Sequence, residues 1–140
     1  MYAFVLQDWL TIAGPDSNTI IQTERDWLDM SPYQDVVAWL DLKEVATGVT
    51  LLFTLETAPS KDESLFQSMA ASTSVTTAGL TVIQFLMGSA SVPVAQFLRW
   101  KVGPSASVAW DCTFRILVAA NAPGLQLTDT NTPFLLPPEM

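Results

Sequence analysis

A chain of 140 residues is long enough for one domain with its own core, and needs no disulfide or metal to staple it. It is 49% apolar and only 14% charged, against about 25% charged residues in an average soluble protein. With a net charge of −8 and six Lys and Arg in all, neither nucleic acid nor an anionic membrane surface is an expected partner. The single cysteine, Cys112, rules out an internal disulfide. No apolar run approaches the ~20 residues of a membrane-spanning helix. Met1 to Asp8 has no basic stretch, so no signal peptide is expected and the chain reads as made inside the cell.

In chain order, residues 1–18 come first. They are apolar in patches (Phe4, Val5, Leu6, Trp9, Leu10, Ile12) and end in the turn-like Gly14-Pro15-Asp16-Ser17-Asn18. They read as an N-terminal arm that docks elsewhere. A β-sandwich is expected over residues 19–120. It starts with a weakly alternating strand near Thr19–Arg25. Val36, Ala38, Leu40 and Leu42 then alternate with Val37, Trp39, Asp41 and Lys43, and Val49, Leu51, Phe53 and Leu55 alternate with Thr50, Leu52, Thr54 and Glu56. Thr47-Gly48 separates the two runs, so they read as strand, turn, strand.

Ser60-Lys61-Asp62-Glu63 matches a capping box, with Ser60 as the cap and Glu63 reaching back to it. It predicts a helical turn in a loop, seated on the sheet by Leu65, Phe66 and Met69. A further strand is expected near Gly79–Met87. Gln96 to Val102 places Leu98, Trp100 and Val102 on one face, and Phe97, Arg99 and Lys101 on the other. The clearest strand is Ala106 to Val118. Its apolar Val108, Trp110, Cys112, Phe114, Ile116 and Val118 alternate with polar Ser107, Asp111, Thr113 and Arg115. Gly103-Pro104-Ser105 between these two reads as a turn. The expectation is an antiparallel hairpin with Arg99, Lys101, Asp111 and Arg115 on its outer face. Residues 121–140 hold Pro123, Pro133, Pro137 and Pro138 together with Phe134, Leu135 and Leu136. They read as a Pro-rich C-terminal arm, since proline blocks ladder hydrogen bonds and favours extended chain. At least six strands and almost no helix imply an antiparallel β-sandwich or jelly roll.

Signs of catalysis are scarce. The chain has no histidine, which removes Ser–His and Cys–His pairs and His metal ligands. Asp62 with Glu63, and Glu24 with Asp26, are the available carboxylate pairs; capping and solubility account for them. Cys112 falls on an apolar face, the usual place of a structural thiol. Asp16-Ser17-Asn18 and Thr128-Asp129-Thr130-Asn131 carry oxygen ligands but lack the spacing of a calcium loop, and read as Asx turns. No phosphate-cradling glycine motif occurs. No enzyme activity, cofactor or metal is expected. Of the five tryptophans, Trp100 and Trp110 fall on inward faces, whereas Trp9, Trp27 and Trp39 are candidates for a protein interface.

Three stretches carry a family resemblance. Leu55-Glu56-Thr57-Ala58-Pro59-Ser60-Lys61-Asp62-Glu63, followed by Leu65-Phe66, resembles a strand-to-loop passage of small phage virion proteins. Phe97-Leu98-Arg99-Trp100-Lys101-Val102 and Trp110-Asp111-Cys112-Thr113-Phe114-Arg115-Ile116 resemble their paired closing strands. Over residues 35–120 the chain is thus similar to the head decoration, or cement, proteins of tailed bacteriophages and related jelly-roll accessory proteins. The resemblance implies a jelly roll on the outside of a capsid, made in the host cytoplasm. It would be a homotrimer, bound to the major capsid protein and stabilising the shell by mass action. In that role Phe4, Trp9 and Leu10 at one end, Phe134, Leu135 and Leu136 at the other, and Trp27 and Trp39 between them are the expected contact residues. The alternative is a carbohydrate-binding jelly roll on a virion, which needs Trp27 and Trp39 exposed together. A carboxylate-based hydrolase, which needs paired acids in one cleft, is the third reading.

Overall fold

The computed structural model describes residues 2–16, 18–45, 49–69, 73–75, 82–85 and 93–121. Ten strand segments make two antiparallel sheets. Sheet A has the order β1-β10-β4-β8, from β1 (Tyr2–Gly14), β10 (Trp110–Ala120), β4 (Val36–Val45) and β8 (Val82–Phe85). Sheet B has β9 (Phe97–Pro104) and β5 (Leu51–Ala58) at its centre. Two broken strands flank them: β2 (Ile20–Ile21) and β3 (Leu28–Asp29) on β9, β6 (Gln67–Ser68) and β7 (Thr73–Val75) on β5. If each broken strand is taken as one, the chain passes from sheet to sheet in the order A, B, A, B, B, A, B, A. That wrapping makes a jelly roll.

Period-2 alternation builds the interior. Ala38, Leu40 and Leu42 of β4 face Leu51, Phe53 and Leu55 of β5, Leu98, Trp100 and Val102 of β9, and Cys112, Phe114, Ile116 and Val118 of β10. At its centre Phe114 meets Phe53 and Trp100 edge-on, with ring centroids 5.1 and 5.0 Å apart. Trp100 and Trp110 are both buried, as their positions predict. The Trp110 indole lies over Gly14 so closely that any Cβ there would collide with it. Its Nε1 donates to the Asn18 carbonyl at 3.1 Å.

Four expectations need correction. First, residues 2–14 are not an arm; they are β1, paired with β10 from Tyr2↔Ala120 to Gly14↔Trp110. Phe4, Leu6, Leu10 and Ile12 pack against the core, and β10 offers their backbone a ladder that is interrupted twice. Two β-bulges, between Val5 and Gln7 and between Gln7 and Leu10, break the alternation that would have marked a strand. Second, β9 and β10 are not a hairpin. β9 pairs with β5 and β10 with β1 and β4, so Gly103-Pro104-Ser105 begins a crossing between sheets. β10 starts only at Trp110, and Val108 is exposed. Third, β4 and β5 likewise lie in different sheets. Fourth, the cap of the short 3-10 turn Glu63–Leu65 is Asp62, whose carboxylate accepts from the Ser64 N–H at 3.0 Å. Glu63 turns instead to Arg99. The C-terminal segment expected over 121–140 lies, beyond Asn121, outside the described residues.

Candidate assembly surface

The two sheets present very different outer faces. On sheet B, Glu56 and Arg99 are cross-strand neighbours pointing away from the core. Arg99 is nonetheless 1% exposed, because two loop segments fold over it. Its Nε donates to Glu56 at 2.9 Å and its Nη1 to Glu63 at 2.8 Å, while Lys101 reaches Glu56 at 2.9 Å. Phe66 lies 3.6 Å from the guanidinium carbon and Trp27 5.1 Å, and the two rings meet edge-on. The Trp27 indole donates to the Gln22 carbonyl at 2.9 Å. Arg99 therefore clasps the 22–28 and 59–69 segments onto the sheet. Its bonds, with its charge nearby, hold the Glu63 carboxyl below the usual range.

On sheet A nothing described covers the outer face across β1, β10 and β4. Val5, Leu117 and Trp39 sit side by side across the three strands, and Ala3, Ala119 and Val37 form the next row. Of these, Ala3, Val5, Trp39, Leu117 and Ala119 line an open apolar groove. Val5 is 55% exposed. Along the strands the face turns polar. Arg115 pairs with Asp41 at 2.9 Å and lies 4.9 Å from the Trp9 ring centroid, with Lys43 at 6.0 Å from the same ring. The Thr11 and Thr113 hydroxyls share a hydrogen bond of 2.8 Å. An apolar strip beside a charged, aromatic-bearing rim has the composition of a protein contact surface.

The expected contact residues divide accordingly. Trp9 and Trp39 share the outer face of sheet A. Phe4 and Leu10, on the same strand as Trp9, are half-buried against the core; Phe4 also meets Tyr33 edge-on at 5.0 Å. Trp27 belongs to the clasp on sheet B. Phe134, Leu135 and Leu136 lie outside the described residues. Val5, Leu117 and Arg115 join the surface although none of them was an expected contact residue; Arg115 was expected only to face outward. Leu117 carries a legible signal of its own: a large apolar residue in the polar phase of the β10 alternation.

Possible chemistry is sparse on the described surface. Glu56 and Glu63 are bound to cations, and Asp62 is spent on its cap. Glu24 and Asp26 lie in a 3-10 turn, with Lys61 3.8 Å from Glu24 and Arg25 3.9 Å from Asp26. Burial, helped by Asp111, pushes the Cys112 thiol up to about 12, too high for a nucleophile at neutral pH. Asp16 adopts a positive φ of 62° and accepts from the Ser107 hydroxyl at 2.7 Å. No cluster of three or more metal-ligating side chains occurs among the described residues.

Comparison with solved structures shows which folds this geometry resembles. The T=1 particles derived from infectious bursal virus match 88% of the chain at 14% identity, with a TM-score of 0.52. A variant VP2 protein of infectious bursal disease virus, also in T=1 particles, matches 88% at 14% identity, with a TM-score of 0.51. The fold is that of a viral capsid jelly roll. The chain spans about a third of the length of these matches, 32% in each. No family model matches the sequence. No curated protein matches it either.

Proposed function

We propose that this chain is a non-catalytic structural protein of a virion, and that it acts as a decoration or cement subunit on a capsid. The observation that carries this reading is the jelly roll itself, wrapped like that of particle-forming viral proteins, with the outer face of one sheet uncovered among the described residues. The bare face of sheet A, with Trp9, Trp39, Val5 and Leu117, is the surface offered to a neighbouring subunit. Residues 122–140, with Phe134, Leu135 and Leu136, extend that contact. The partners are the major capsid protein and further copies of this chain, joined as a homotrimer on the phage head. A protein that binds only the assembled shell stabilises it by mass action, multiplied over many symmetric copies.

The glycan-binding alternative loses its platform, because Trp27 and Trp39 belong to opposite sheets. The test is co-sedimentation of the purified chain with assembled shells of the major capsid protein, alongside light scattering of the chain alone. Saturable binding to shells and not to unassembled subunits is the expected result. Absence of binding at micromolar concentration overturns the decoration role, and a mass of one subunit in solution overturns the trimer.

A further inference from the structure

Beside the covered Arg99, the outer face of sheet B holds a cleft. The outward side chains of β5 and β9 run in rows: Glu56 with Arg99, then Thr54 with Lys101, then Leu52 with Gly103. The last two rows floor a cleft of about 230 Å³ that is bounded by Thr19, Ser68 and Pro104, and its lining is mostly polar. Gly103 gives it depth, because a Cβ there would stand 2.7 Å from the Thr19 hydroxyl. Lys101 brings the charge. Its side chain is 33% exposed, and Glu56 holds its ammonium at 2.9 Å. The other oxygen of Glu56 takes Arg99, whose Nη2 lies at 2.8 Å. One acid shared by two cations leaves part of the Lys101 charge unmatched. An ammonium also has three donors, of which Glu56 takes one. Thr19 and Ser68, both exposed, bring hydroxyls that can donate and accept.

We infer that this cleft binds one sugar residue carrying a carboxylate, with the carboxylate on Lys101 and the ring hydroxyls on Thr19 and Ser68. Size, walls and charge select that class. A pocket below roughly 300 Å³ is smaller than a drug-sized site and takes one ring, not a chain of them. Leu52 and Pro104 offer the ring an apolar edge, but no aromatic side chain lines the cleft. A neutral sugar therefore has nothing to stack on, and a charge-assisted hydrogen bond has to supply the hold. A phosphate, with its higher charge, would meet a single ammonium that already has a carboxylate beside it. The site owes nothing to Trp27 or Trp39. It opens on the sheet opposite the bare face, so a chain docked through sheet A would present it outward.

NMR titration of the isolated, isotope-labelled protein tests this without any shell, so its outcome is independent of the decoration reading. The probes are methyl glucuronide, methyl glucoside (the same ring without the carboxylate) and acetate (the carboxylate without the ring). The expected result is a saturable shift of the Gly103 and Ser68 amide signals with the glucuronide, at least tenfold tighter than with either control. Lys101→Gln should weaken it at least tenfold, and Ser68→Tyr, at an exposed position on the wall, should block it. Lys43→Gln, which removes the same charge from sheet A, should leave it unchanged. The spectrum of each variant reports its fold directly. No saturable shift at tens of millimolar overturns the site. Equal binding of the glucoside overturns the role of Lys101, and equal binding of acetate overturns the sugar. Unchanged binding in a folded Lys101→Gln or Ser68→Tyr protein places the ligand elsewhere and overturns the site as well.

Discussion

The outer faces of the two sheets have opposite fates. Around Arg99, sheet B's is covered by the chain's own loops, and that buried arginine holds the cover down through two carboxylates. Sheet A's carries an apolar strip with no such cover among the described residues. Strand chemistry alone does not explain the contrast, since Arg99 on β9 and Arg115 on β10 are both outward-facing cations opposite an acid. The difference is what lies above them. Trp27 and Phe66 bring a loop over Arg99, whereas among the described residues Arg115 has its Asp41 partner and the half-exposed Trp9 beside it, with no loop above. A covered charge works inside the molecule, and an uncovered apolar strip is available outside it.

The largest expected effect follows from breaking the covered side. Arg99→Ala leaves Glu56 buried beside Lys101 alone, and should cost about 3 kcal/mol or more in a urea titration, as does removal of one partner from a buried ion pair. The second effect is one of pH. Because the Glu63 carboxyl is held below its usual value, its contribution is fully present above the ordinary carboxylate range. It is lost as pH falls through the lowered folded value. Trp27 fluorescence should report the clasp closed at neutral pH and loosening in acid, below the ordinary carboxylate range; Glu63→Gln should remove that acid step. The third effect is smaller. Arg115→Ala should cost roughly 0.5–1 kcal/mol, since its pair with Asp41 is partly solvated. The smallest effect on stability is the sharpest for the comparison. Val5→Lys should shift stability by no more than about 0.5 kcal/mol, while weakening association through sheet A at least tenfold. A Val5→Lys protein as unstable as Arg99→Ala would mean that the two faces are not different in kind.

Alternation in the sequence identified which residues share a strand face, and so most of the core: Leu98, Trp100 and Val102, or Trp110 through Val118, are where period 2 puts them. It did not identify strand neighbours. A jelly roll sends most successive strands to opposite sheets, so the turn chemistry at Gly103-Pro104 and Thr47-Gly48 looked like hairpins and is not. β1 escaped because its bulges break the pattern. Arg99 was expected outside because alternation reports direction and not cover, and its cover comes from residues more than 30 positions away, Glu63 among them. Trp9 and Trp39 were legible as surface aromatics. That they share a face while Trp27 does not depends on pairing, which only the fold supplies.

The pairing of β1 with β10 also carries a consequence for biosynthesis. Thr11 and Thr113, hydrogen-bonded neighbours in the sheet, are 102 residues apart in sequence. β10 is the partner of both β1 and β4, so sheet A cannot close until nearly the whole described chain has left the ribosome. Until then β1 is a nascent apolar strand with no partner. Such a high contact order places folding in the millisecond-to-second range and delays closure of sheet A until β10 has been made. A chaperone that shields Tyr2–Gly14 during synthesis should therefore raise the yield of folded protein more than one acting on any later strand.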